Sequence, residues 1–319
     1  MSTLTQERFD VVKAEAFTGR LLGALNEAAL TLMVSIGHRT RLFDVLAERG
    51  SSTSAELAQA AGLDERYVRE WLGAMAVGGV VDYDPVARRY ALPAEHASVL
   101  TRGAAVNLAA SAQFVPVLAS VEDQVVDCFA NGGGVPYDAY PRFHEVMAEE
   151  SDQTVVAALE AHILPLAPGL TEALRDGIDV LDVGCGRGRA LAKLAATYPA
   201  SRFVGYDLSP AAIAEGNARA ASAGLRNLRL EVRDVAALED EARFDLVTAF
   251  DAIHDQARPD RVLERIHASL KPLGLLLMQD IGASRDVEKN FAHVLGPWLY
   301  TISCMHCMTV SLAQGGAGL

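Results

Sequence analysis

Hydrophobic positions follow two different rhythms along the chain. In the C-terminal half, short apolar runs recur at Ile178 to Val183, Arg202 to Asp207, Leu228 to Asp234, Phe244 to Phe250 and Leu273 to Asp280. Between them, Arg189 to Tyr198 and Arg258 to Leu270 place apolar residues at helical spacing. Short apolar strands separated by amphipathic helices predict an α/β fold with a doubly wound, Rossmann-like parallel sheet. Ligands of such sheets sit at the carboxyl ends of the strands.

The N-terminal third keeps a helical period. Phe9 to Ile36 carries Val12, Phe17, Leu21, Leu25, Leu32, Met33 and Ile36 at helical spacing with few charges. That face is too apolar for a solvated helix and predicts packing against a second subunit, hence a homodimer. Arg41 to Arg49 reads as a helix, and Ser52-Thr-Ser-Ala-Glu56 opens another with a hydroxyl cap and a downstream acid. Asp64 caps a third, Glu65 to Val77, with Val68, Leu72 and Met75 on its apolar face, and Gly78-Gly79 ends it. Val80 to Tyr83 and Arg89 to Leu92, joined by Asp84-Pro85, read as a hairpin. Helices followed by a hairpin make an all-α/winged-helix domain, which either reads DNA through its third helix or serves as a dimerisation scaffold.

Charge bears on that choice. The chain has a formal net charge of −13, and its first hundred residues hold ten Lys/Arg against thirteen Asp/Glu. Arg66 and Arg69 alternate with Glu65 and Glu70 on the third helix, so no basic stripe is available and nucleic acid is disfavoured as a partner. The 319 residues suggest two domains. The patterns divide them into a winged-helix region at 1–100, a helical linker contributing to the ligand pocket at 101–170, and the sheet at 171–319. The first ten residues lack the basic start and apolar core of a secretion signal. Ala104 to Val121 is interrupted by Asn107, Gln113 and Pro116, which argues against a bilayer span. Four cysteines without a secretion signal read as reduced thiols, so the expected compartment is the cytoplasm and no membrane partner is expected.

The most informative segment is Val180-Leu-Asp-Val-Gly-Cys-Gly-Arg-Gly188, a strand turning through Gly184, Gly186 and Gly188 into a helix. Missing side chains let backbone approach a ligand, and the helix N-terminus presents free N–H groups to an anion. Arg189 stands where a dinucleotide fingerprint wants its third glycine. A nicotinamide site and a purely structural glycine turn are the alternatives. Asp207 lies nineteen residues beyond Gly188 at the end of the next strand, where it can accept both hydroxyls of a ribose. Asp234 ends the strand after that. A lone acid at a strand end is usually a helix cap, but acids at three successive strand ends, Asp182, Asp207 and Asp234, point to a ligand.

This spacing resembles motif I of the class I S-adenosylmethionine-dependent methyltransferases. The resemblance implies S-adenosylmethionine as cofactor, held by Asp182, Gly184, Cys185, Gly186 and Gly188 of the loop. It implies ribose binding by Asp207 with Leu208 beside it, adenine recognition by Asp234 and the Val235 N–H, and a wall at Phe250. A winged helix ahead of such a domain resembles the small-molecule O-methyltransferases of plants and actinobacterial pathways. Phe143, Met147 and Ser151 repeat that family's F-x-x-x-M-x-x-x-S helix, which places Met147 beside the reacting methyl and Ser151 on the methionyl carboxylate. Ile253-His254-Asp255 falls where the family carries His-Asp-Trp, so His254 is the expected general base and Asp280 the acid that orients it. Gln256 replaces the Trp, and a second orienting acid has no clear counterpart.

An unperturbed imidazole titrates near pH 6.5, suited to taking a proton from a hydroxyl. The expected activity is therefore methyl transfer to a small-molecule acceptor, by O-methylation at a hydroxyl. A winged-helix transcription regulator that binds S-adenosylmethionine without methylating anything is the competing reading. Cys304-Met-His-Cys-Met308 invites a zinc reading, but no second Cys/His pair stands at ligand spacing, so no metal is expected. The class I fold closes with an antiparallel hairpin after its fifth helix. The sequence stops at Leu319 before one, which predicts a truncated chain or an exposed edge at the fifth strand.

Overall fold

The computed structural model describes residues 9–318. The residues before Phe9, whose sequence argued against a secretion signal, lie outside the described residues. The chain divides into two compact units, one up to Val115 and one from Pro116. The stretch 101–170, expected as a linker, is therefore shared between them.

The first unit opens with α1, Val11–Arg39, capped by Asp10, whose carboxylate accepts from the Lys13 N–H. Helix α2 is Leu42–Arg49, α3 Ser54–Ala61 and α4 Glu65–Val77. The capping box at α3 forms as the sequence suggests, with Thr53 and Glu56 exchanging bonds to each other's backbone N–H. Asp64 caps α4 by accepting from the Arg66 N–H at 2.9 Å. The core collects Phe43, Leu46, Leu57, Val68, Leu72 and Met75 around Trp71, whose indole N–H donates to the Met33 carbonyl at 2.8 Å. Each such side chain contributes about 1.5–3 kcal/mol by leaving water.

The wing is β1, Asp82–Asp84, paired antiparallel with β2, Arg89–Ala91. It starts two residues later than the hydrophobic run suggested, because Val81 is buried in the core. Asp84 closes the turn by accepting from the Val86 and Ala87 N–H groups at 2.8 and 3.0 Å. The two arginines of α4 are engaged with Glu70 and Glu65 on the same helix. Most of α1 stands clear of this core: Val12, Phe17, Leu21, Leu22 and Leu25 are all more than half exposed, as is Phe9 just before it. By length and composition alone α1 is also long and apolar enough to cross a membrane, a property the sequence reading did not assign to it.

The second unit is built on five parallel strands: β3 Asp179–Val183, β4 Arg202–Asp207, β5 Leu228–Val232, β6 Phe244–Phe250 and β7 Leu270–Gln279. Their order across the sheet is β5-β4-β3-β6-β7. Preceding the sheet is α5, Phe143–Ser151. The crossovers include α6 Arg189–Thr197, α7 Pro210–Ser222 and α8 Pro259–Ser269. Alternation along the strands feeds two cores. Val180 and Leu246 join Leu191, Leu194 and Ile213 on one side, while Leu181 and Val247 join Val262 and Ile266 on the other. Burial on both faces explains why these strands read as continuous apolar runs. Among the described residues β7 is an outer strand, with Leu273 and Met278 exposed.

Strand order reverses between β3 and β6. The crevice beyond their carboxyl ends is where ligands of open α/β sheets bind.

Candidate active site

The glycine loop leaves β3 through three left-handed turns, with φ of +68° at Gly184, +51° at Gly186 and +65° at Gly188. The three glycines have different reasons to lack a side chain. A Cβ on Gly184 would lie 2.4 Å from the Ala252 Cβ, and one on Gly188 would lie 2.6 Å from Leu230 Cδ1. At Gly186 an added Cβ meets nothing within 4 Å. Gly184 and Gly188 are closed by protein packing, whereas Gly186 faces open space at the sheet's carboxyl edge.

Asp207 is locked against this loop. Its Oδ2 accepts from the Gly186 N–H and its Oδ1 from the Ser209 N–H, both at 2.8 Å. A carboxylate oxygen has two acceptor positions, so each still has one for a hydroxyl. Leu208 beside it is half exposed and Phe250 is half-buried against the core. Asp234 is exposed beyond the carboxyl end of β5, the strand next to β4, and accepts from the Ala236 N–H at 2.8 Å, starting a tight turn in which Val235 is buried. That cap ends β5 at Val232, short of the strand end expected at Asp234.

Asp182 is held differently. It is 3% exposed, and its Oδ1 accepts from the Thr248 hydroxyl at 2.7 Å. Burial raises its pKa to about 7, against the pull of the Thr248 bond and with a further push from Asp207. Its carboxyl therefore ties β3 to β6 just before the loop. Burial also pushes the Cys185 thiol well above its ordinary value.

Helix α5 places Met147 and Ser151, both half-buried, just before Asp152. Asp152 pairs with Arg189, and the Lys193 ammonium donates to the Val156 carbonyl at 2.7 Å. Arg189, the residue replacing a third glycine, thus ties the end of α5 to the start of α6.

His254 and Asp280 meet as expected, with His254 Nδ1 to Asp280 Oδ1 at 2.6 Å. Asp280 also accepts from the Ile281 N–H at 2.8 Å. Gln256, in place of the Trp, folds back to donate to the Ala252 carbonyl at 2.8 Å. The ordinary imidazole pKa assumed from sequence does not hold here. Burial disfavours the charged ring, but the hydrogen bond to Asp280, with Cys307 and Asp255 nearby, outweighs it and raises the pKa to about 11. Burial in turn raises Asp255 to about 6, against the pull of His254.

Cys307 is a neighbour of His254 that sequence reasoning missed; its Cys-x-x-Cys setting drew attention toward metals instead. Among the described residues no group of three or more His, Cys, Asp or Glu could hold a metal ion. Also missed was an aromatic wall of Tyr137, Tyr140, Phe143, His144 and His306. Phe143 stacks on His306 with centroids 3.7 Å apart, and Tyr137 stacks on His144 at 4.7 Å. Burial raises the Tyr137 phenol well above its ordinary value, with Asp255 and Asp207 close enough to push the same way. The three-residue spacing of Tyr137, Tyr140 and Phe143 was the available signal.

Residues 28–102 match the family description "Rv2258c-like winged HTH domain" and residues 174–308 match "Methyltransferase domain". A trans-aconitate 2-methyltransferase of Methylobacterium nodulans is 35% identical over 100 residues, 31% of this chain and 37% of that protein. A ubiquinone biosynthesis O-methyltransferase of Leptothrix cholodnii is 29% identical over 110 residues, 33% of this chain and 45% of that protein. The chain spans less than half the length of these curated relatives. Among solved structures, the mitomycin 7-O-methyltransferase MmcR superposes with TM-score 0.66 at 19% identity, covering 95% of this chain and 89% of that one. Human N-acetylserotonin methyltransferase, in complex with SAM, gives TM-score 0.66 at 16% identity over 96% and 88%. At those identities the likeness speaks for the fold. The chain therefore joins an N-terminal winged helix-turn-helix domain of the Rv2258c-like type to a methyltransferase domain.

Proposed function

We propose that the protein is an S-adenosylmethionine-dependent methyltransferase that methylates a hydroxyl oxygen of a small molecule. The observation that carries the reading is Asp207: locked by two backbone N–H bonds, it faces a loop whose central glycine opens onto free space. That arrangement fits a cofactor bearing a ribose diol. Gly184, Cys185, Gly186 and Gly188 line its path, with Asp182 bracing them. Asp207 and Leu208 hold the ribose, Asp234 and the Val235 N–H the adenine, Ser151 the carboxylate, and Met147 and Phe250 the walls. When bound, S-adenosylmethionine supplies an electrophilic methyl carbon.

The chain's own part is orientation and proton handling. Asp280 fixes the His254 ring through Nδ1, as carboxylates do in other acid–base pairs. His254 takes the acceptor's proton as the new C–O bond forms. With its pKa raised to about 11 the ring does so only from its deprotonated form, so turnover should climb as pH rises toward that value. The aromatic wall of Tyr137, Tyr140 and Phe143 supports a flat, apolar acceptor.

The exposed face of α1 is read as the contact with a second copy, making a homodimer, and the four free cysteines support a cytoplasmic setting. The arginines of α4 are engaged by glutamates, which gives the DNA-binding alternative no support. Calorimetric titration with S-adenosylhomocysteine, followed by turnover assays on phenols, alcohols and amines, tests the reading. Absence of cofactor binding ends it; turnover confined to amines ends the O-methylation half.

A further inference from the structure

We propose that the Asp251 carboxylate binds the α-ammonium group at the methionyl end of the cofactor, so that the site selects adenosyl compounds carrying a free amino group. The inference rests on the cofactor reading given above. Asp251 follows directly on β6, at the point where the strand order reverses and ligands of such sheets bind.

Its first support is an unanswered charge. Asp207, Asp234, Asp251 and Asp280 all stand at or just beyond the carboxyl ends of strands. Asp207 accepts from the Gly186 and Ser209 N–H groups, Asp234 from the Ala236 N–H, and Asp280 from the Ile281 N–H and the His254 ring. Asp251 is half-buried, yet its side chain accepts only from the Gln279 amide, at 3.2 and 3.4 Å, and forms no ion pair among the described residues. His254, whose charge bears on it, is already paired with Asp280 at 2.6 Å. Carboxylates withdrawn from water are ordinarily paired or fully hydrogen-bonded. Burial, with Asp280 pushing the same way, holds the Asp251 carboxyl above its ordinary pKa. A ligand ammonium supplies the missing partner.

The second support is the backbone. Asp251 has a φ of +49°, a left-handed conformation that few residues other than glycine adopt. Its N–H donates to the Gln279 carbonyl at 2.9 Å, so main chain and side chain are both fixed on the end of β7. Val183 stands opposite Ala249, so β3 and β6 leave the sheet side by side, one into the glycine loop and the other into Asp251. Ala252, the next residue, packs where a Cβ on Gly184 would lie. Backbone strain of this kind persists where it fixes a side chain at a functional site.

An amino acid carries both of its charges on one carbon, so partners for the two must stand near each other. Ser151, at the end of α5, is assigned to the carboxylate. Glu150, the residue before it, lies close enough for its charge to raise Asp251 as well.

The test compares S-adenosylhomocysteine with its deamino analogue, which has hydrogen in place of the α-ammonium group. Neither carries a sulfonium charge, so any difference reports the ammonium alone. Titration calorimetry on the intact wild-type protein should show the analogue binding at least about tenfold more weakly. Asp251→Asn, which suits the left-handed backbone, should reduce that preference to within about threefold by weakening S-adenosylhomocysteine alone. Circular dichroism confirms folding, and Asp251→Gly, free to adopt the same φ, repeats the measurement if Asp251→Asn is unstable. A wild type that binds both compounds alike overturns the proposal, as does a variant that keeps the full preference. Equal weakening of both compounds makes Asp251 a support of the loop and overturns it too. A wild type that binds neither compound ends the cofactor reading itself, and this inference with it.

Discussion

Replacing Asp207 by Ala separates a ligand-binding carboxylate from a structural one. In the folded chain Asp207 accepts two backbone N–H bonds, from Gly186 and Ser209, each 2.8 Å long. Both are charge-assisted and lie at the edge of the crevice, where water can replace the carboxylate once it is gone. Their loss should cost about 1–2 kcal/mol of stability, below the roughly 3–6 kcal/mol that two such bonds can contribute, because water takes over the freed N–H groups. The effect on cofactor affinity is larger. Two ribose hydroxyls on a carboxylate contribute about 1.5–3 kcal/mol each before desolvation is charged against them. A net loss of at least about 2 kcal/mol follows, a Kd roughly thirtyfold weaker or worse. Asp207→Asn, which keeps one carbonyl oxygen and the loop's shape, should fall between wild type and Asp207→Ala. Titration calorimetry with S-adenosylhomocysteine, alongside thermal unfolding, reads both quantities. If Asp207→Ala binds within threefold of wild type while losing stability, Asp207 is a loop brace and the ribose assignment fails.

Five other outcomes are expected. Gly186→Ala should fold with a penalty of about 1 kcal/mol for its positive φ, but bind cofactor poorly, since its Cβ enters open space. Gly184→Ala should be the less stable of the two in chemical denaturation, because its Cβ meets Ala252 at 2.4 Å. Asp182, raised to about 7 from 3.8, favours folding below its unfolded pKa, and that contribution is lost as pH rises through about 7. Wild type should therefore lose Tm between pH 4 and pH 7 relative to Asp182→Asn, and parallel curves for the two proteins would refute the shift. His254→Ala should lower kcat on a hydroxyl acceptor by about 10²–10⁴-fold with cofactor Kd unchanged, and near-normal turnover would remove its role as base. Leu21→Glu with Leu25→Glu should convert a dimer to monomers in sedimentation velocity, and an unchanged sedimentation coefficient would dismiss the α1 interface.

The elements differed in how legible they were. Helix α4 was readable to the residue because Asp64, the apolar face and the Gly78 stop each speak locally. Strands β4 and β6 were equally plain, being short apolar runs between turns. The wing slipped by two residues because Val80 and Val81 look like strand yet belong to the core. Of the proposed site, the loop glycines and Asp207 stood out through spacing, and His254 and Asp280 only through the resemblance to small-molecule O-methyltransferases. Cys307 and His306 did not, since they approach His254 from more than fifty residues away and from a turn whose π-helical form has no sequence signature.

What the sequence determines alone is the local chemistry of the backbone: where helices can start, where only glycine tolerates the turn, and which strands are buried on both faces. Those follow from sterics and periodicity within a few residues. The tertiary structure decided the protonation of the site. His254 departs from an ordinary imidazole only because Asp280, at the end of β7, and Cys307, on the segment after it, converge on one half-buried ring. Likewise the three loop glycines look alike in sequence. Only the positions of Ala252 and Leu230 show that two are required by packing, while the third opens onto free space. Electrostatic coupling and excluded volume both act through distance in space, and chain order does not encode that distance.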